Sequence, residues 1–80
     1  MADLFVYKLD LVGKQHLEEA FEILLDDVRV VSRSVDPGTS SARFMASLKV
    51  GSALVERLYV RGGLRWCTRH PVARLVALEA

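Results

Sequence analysis

The chain has 80 residues, 51% of them apolar, and a formal net charge of +1. That length holds one domain with a thin core, which excludes a roomy internal pocket and puts any site on the surface. No apolar run approaches the roughly 18 residues needed to span a bilayer, and the single cysteine, Cys67, excludes an internal disulfide framework.

Residues 4–12 alternate, with Phe5, Tyr7, Leu9 and Leu11 on one side and Leu4, Val6, Lys8 and Asp10 on the other, the period of a strand. Gly13 breaks the alternation. From Lys14 to Asp27 the period is helical: Leu17, Ala20, Phe21, Leu24, Leu25 and Val28 form one stripe, with Glu18, Glu19, Glu22 and Asp26 on the solvent side. Residues 28–35 are rich in β-branched side chains and read as a second strand. Asp36-Pro37-Gly38-Thr39 is a turn, because proline presets φ and glycine accepts positive φ. Residues 42–50 alternate again, with Ala42, Phe44, Ala46, Leu48 and Val50 facing one way. Ser52 is the expected cap of a second helix whose apolar stripe is Leu54, Val55, Leu58 and Tyr59, stopped by Gly62-Gly63. Residues 64–69 read as a strand in which Leu64, Trp66 and Thr68 alternate with Arg65, Cys67 and Arg69. Residues 72–78 read as a last strand, with a short helix begun by Pro71 as the alternative.

The order is β-α-β-β-α-β plus a tail. It predicts an α+β, ferredoxin-like domain over residues 1–80, a four-stranded antiparallel sheet with two helices on one face. The charges are split along the chain: residues 1–27 carry −5 and residues 28–80 carry +6. If the helices cover the apolar strand positions, the alternate positions Lys8, Arg29, Arg33, Arg43, Lys49, Arg65 and Arg69 make a basic open face. The acidic first helix (Glu18, Glu19, Glu22, Asp26) then lies on the far side. By the same parity Trp66 belongs under the second helix.

Catalytic chemistry finds little support. His16 and His70 are far apart in sequence, and no serine or carboxylate spacing suggests a triad. Cys67-x-x-His70 is half a metal motif, and zinc needs three or four ligands. Gly62-Gly63 ends a helix instead of opening one, so it is no phosphate loop. The expectation is a non-enzymatic protein without cofactor or metal. With no basic n-region at Met1-Ala2-Asp3-Leu4, the expected compartment is the cytoplasm, away from any membrane.

Leu4-Phe5-Val6 with Leu9 resembles the shorter RNA-contact motif of RNA-recognition domains, while Ser41-Ala42-Arg43-Phe44-Met45-Ala46 offers only Phe44 toward the second. The layout is similar to that of acylphosphatases, without their glycine-rich loop near Val12-Gly13-Lys14, and to effector-binding ACT domains. In size, layout and split charge the chain also resembles the small phage and mobile-element proteins that inhibit CRISPR effectors. That resemblance implies an inhibitor or adaptor that docks on a complex handling nucleic acid and blocks target DNA. The basic face is the expected partner-binding surface, meeting an acidic patch; alternatively the acidic helix mimics phosphates on a basic one. A monomer or weak dimer is expected. Direct nucleic-acid binding through the basic face is the runner-up. A small-ligand regulatory domain, which would be dimeric with a glycine-lined loop, is third.

Overall fold

Alternation in the first strand is obeyed from Tyr7 onward, whereas Val6 of the opposite parity is buried and Phe5 only partly so. Tyr7, Leu9 and Leu11 are all buried in the computed structural model, which describes residues 3–72. The elements run β1 (Leu4–Leu11), α1 (Gly13–Asp26), β2 (Ser32–Asp36), β3 (Ser41–Ser47), α2 (Leu48–Arg61) and β4 (Leu64–Pro71). The expected tail element over residues 72–78 lies, apart from its first residue, outside the described residues.

The four strands form one antiparallel sheet in the order β2-β3-β1-β4, and the arrangement is the ferredoxin-like α+β fold. Both helices pack on one face. Beneath them Tyr7, Leu9, Ala42, Phe44 and Ala46 of the two central strands meet Leu17, Ala20 and Leu24 of α1 and Leu54 and Leu58 of α2. Tyr7 and Phe44, directly opposite in the β1–β3 register, stack with ring centroids 4.8 Å apart. The turn between β2 and β3 is tied to the end of β1, where the Ser40 hydroxyl donates to the Leu11 carbonyl at 2.8 Å.

The helices differ from the sequence reading in phase and in start. In α1 the buried residues are Leu17, Ala20, Ile23 and Leu24. Phe21 is half-buried, Leu25 is half-exposed, and Val28 lies beyond the helix end in solvent. Helix α2 begins at Leu48, so Leu48 and Val50 leave the third strand, and Ser47 is the cap in place of Ser52, its Oγ accepting from the Val50 amide at 3.3 Å. Two apolar residues two apart imitate a strand whatever follows. The deciding local signal is the hydroxyl able to satisfy a first-turn amide. Leu54 and Leu58 face the core as expected, whereas Tyr59 is 71% exposed.

Strand β4 carries the largest correction. Asp10 pairs with Trp66 but Leu11 pairs with Leu64, so Arg65 is an extra residue, a bulge. Past a bulge every side chain changes face relative to an unbroken count. Leu64 faces the helices, Trp66 turns to the open face, and Cys67 and Arg69 return to the helix side opposite Leu9 and Tyr7. Trp66 is 53% exposed instead of buried under α2.

Candidate functional site

The sheet face turned away from the helices is assembled in rows by the strand registers. Across one row run Trp66 of β4, Asp10 of β1, Ser41 of β3 and Asp36 of β2; across the next run Thr68, Lys8, Arg43 and Ser34. A third row holds His70, Val6, Met45 and Ser32. The first two rows line a shallow groove of about 190 Å³ that includes Lys8, Arg43, Ser34, Ser41, Asp36 and Trp66. Lys8 and Arg43 sit opposite one another on neighbouring strands and both are exposed. Like charges placed so destabilise a sheet unless an anion lies between them. Neither has a carboxylate within 4.0 Å among the described residues.

The acids beside them are engaged elsewhere. Asp10 is 3.9 Å from the Arg65 guanidinium. Asp36 accepts the Gly38 amide at 3.0 Å, closing the β2–β3 turn. The groove therefore offers two cations, the Ser34 hydroxyl and one aromatic ring to a ligand, with the Ser41 hydroxyl bonded to Thr39 at 2.7 Å and the Asp36 carboxylate beside them.

Of the seven basic residues expected on this face, Lys8 and Arg43 are on it and Arg65 reaches its edge from the bulge. The other four are elsewhere. Arg69 lies on the helix side of β4, its guanidinium 5.5 Å from the Phe5 ring centroid, because the bulge reverses its parity. Arg33 pairs with Phe44 and so faces the helices, where it donates to the Val30 carbonyl at 3.1 Å. Arg29 precedes β2 and is clamped on Asp27, with Nε to Oδ1 at 3.0 Å and Nη2 to Oδ2 at 2.8 Å. Lys49 stands in the first turn of α2, because that helix starts before it.

No protein-family model, curated protein or solved structure matches the chain.

The acidic face of α1 keeps more of its expected form. Glu18, Glu22 and Asp26 are exposed, four residues apart, hence about 6 Å apart along the helix axis. Glu19 is drawn off the row by Arg61 of α2 at 3.5 Å and by the Gln15 amide at 3.4 Å. Lys14 reaches Glu18 at 3.9 Å, while Glu22 and Asp26 have no ion pair among the described residues. The row runs against the helix dipole: Asp26 occupies the last turn, where partial negative charge already accumulates, and that turn holds no basic residue. Exposed Leu25 and Val28 adjoin it.

The reactive side chains are dispersed. Cys67 faces the helix side and His70 the open face, so the two cannot chelate one ion from the same side of β4. Burial pushes the Cys67 thiol above its usual range, only partly opposed by the Arg69 charge, which keeps it a poor nucleophile. The His16 Nδ1 lies 2.8 Å from the Val12 carbonyl at the start of α1. Among the described residues no three His, Cys, Asp or Glu side chains gather in a metal-holding group, and no helix is long and apolar enough to cross a membrane.

The residue that sequence reasoning missed on this face is Trp66. A signal for it existed in Cys67: cysteine is among the most buried residue types. Counting backward from an inward Cys67, instead of forward from Leu64, turns Trp66 outward.

Proposed function

We propose that this protein is a non-enzymatic inhibitor or adaptor that docks by a charged surface onto a protein complex handling nucleic acid. The observation that carries the reading is the exposed row Glu18, Glu22 and Asp26 on α1. Its spacing of about 6 Å is close to two steps of about 3.4 Å along one strand of DNA, so the row presents a carboxylate near every second phosphate of a strand. Placing Asp26 against the helix dipole costs about 0.3–1 kcal/mol, and a charge held at that cost is better explained by a basic partner than by solvation alone. Leu25 and Val28 supply the apolar centre that a protein interface needs and a solvated helix does not. On this reading the protein acts like the small CRISPR inhibitors it resembles in size and layout, occupying a basic channel that target DNA would use. Cytoplasmic location follows from such a partner.

The test is a comparison of tagged wild type with Glu22→Lys/Asp26→Lys in capture from a nuclease-treated bacterial lysate, followed by competition with target DNA. The expected result is a nucleic-acid-handling complex held by wild type, released by the double reversal and displaced by DNA. Capture that is insensitive to the reversal, or that disappears with nuclease treatment, would overturn the reading.

A further inference from the structure

We propose that the open face of the sheet is a second site, distinct from the α1 surface, that takes a single-stranded nucleic acid. A phosphate sits between Lys8 and Arg43, and the adjoining base stacks on Trp66. Three observations converge on this ligand. Lys8 and Arg43 are forced together by the β1–β3 register with no acid to relieve them among the described residues, and an anion is the group that relieves them. Trp66 is 53% exposed on the same face, in the same groove as both cations. A large aromatic that faces away from the core and adjoins a cationic pair is what base stacking uses, and stacking tolerates any base because each has a π-face.

Geometry decides between strand forms. Trp66 is the diagonal neighbour of Lys8 across the β1–β4 pair, two residues from Thr68, and such diagonals are about 7–8 Å apart. That separation suits one nucleotide laid across the strands, phosphate at one end and base at the other. A duplex keeps its bases stacked inside and offers Trp66 nothing to stack on. The hydroxyl of Ser34, opposite Arg43, is placed to bond phosphate or sugar oxygens, while that of Ser41 is bonded to Thr39. Of the acids on this face Asp10 is offset by Arg65, and Asp36, which keeps its charge while accepting the turn amide, stands as one carboxylate against the two cations.

The experiment uses the full chain and a labelled oligothymidylate of about ten nucleotides. Trp66 is the only tryptophan, so its emission reports the site directly. The expected result is saturable quenching of that emission at about 50 mM salt. Affinity should fall with salt at a log–log slope near −0.7, for the one phosphate held between the two cations. Lys8→Glu/Arg43→Glu should abolish retention of the labelled strand. Trp66→Ala should weaken it about fivefold or more and Trp66→Phe should restore most of the loss, with circular dichroism showing each variant folded. Glu22→Gln/Asp26→Asn should leave oligonucleotide binding unchanged, so failure of this site and failure of the α1 reading are told apart. Absence of quenching, binding that survives the Lys8/Arg43 reversal, or tighter binding to a duplex of the same length would each overturn the proposal. So would loss of a protein partner, with no oligonucleotide bound, on reversing Lys8 and Arg43.

Discussion

Gly51 illustrates how a single position joins helix to sheet. It is buried in α2, and a Cβ built on it would overlap the ring of Tyr7, which is itself 2% exposed and stacked on Phe44. On an exposed helix, glycine to alanine stabilises by about 0.5–1 kcal/mol. Here the sign reverses, because the added methyl must displace a buried ring that is stacked on Phe44. Overpacking of this sort costs about 1–3 kcal/mol. Gly51→Ala should lower the thermal midpoint measured by circular dichroism, and an unchanged or raised midpoint would show that Tyr7 is free to move. Asp27 gives a prediction of another kind. The hydrogen bonds from the Arg29 side chain, helped by the Arg29 amide, hold its carboxyl at about 2, below the ordinary 3.8. A folded-state value below the unfolded one means the clamp stabilises above pH 3.8 and that this contribution is lost as pH falls through about 2. Wild type should therefore lose more of its melting temperature than Asp27→Asn across that interval. Parallel curves would mean that the pair contributes nothing.

At the scale of elements, what was legible in the sequence follows from how local each signal is. β1 is legible because a period of two runs from Tyr7 to Leu11, where buried and less buried positions alternate. α1 was legible as a helix, but its phase was read too far toward Leu25, since Ile23 and Leu25 compete for the same stripe and only tertiary contact with the sheet chooses. The basic face reads as seven residues because parity runs through breaks that sequence does not mark. These are the late start of β2, the early start of α2 and the bulge at Arg65. A bulge leaves no compositional trace when the extra residue is as polar as its neighbours. The register makes a sharp prediction about deletion. Without Arg65, Leu64 and Trp66 become consecutive and pair with Leu11 and Asp10 in a regular strand, each keeping its present face. The lost Asp10 contact is exposed and worth at most about 1 kcal/mol. Deleting Arg65 should therefore preserve cooperative unfolding and leave the tryptophan open to acrylamide quenching. Deleting Thr68 instead should throw Cys67 and Trp66 onto the wrong faces and destabilise the fold. Equal damage from both deletions would contradict the register.

The whole molecule has two sides of different character. One carries α1 with its row of carboxylates and exposed Leu25 and Val28; the other carries the Lys8–Arg43 pair with Trp66. The split of charge along the chain becomes a split across the sheet only in part, because Arg57 and Arg61 of α2 stand over the helix side and partly neutralise α1 there. Strand β1 lies between β3 and β4, and its two neighbours come from very different distances along the chain, Ser41–Ser47 and Leu64–Pro71. Contacts so remote in sequence slow folding, since the loop must close before the pairing is rewarded. The order of synthesis adds a further constraint. Of the four strands β1 leaves the ribosome before the others, yet one whole row of its backbone amides and carbonyls has no partner until Pro71 has emerged. The sheet cannot enclose β1 on both edges until β4 has followed it out, so a strand made at the start of the domain waits for the strand made at its end.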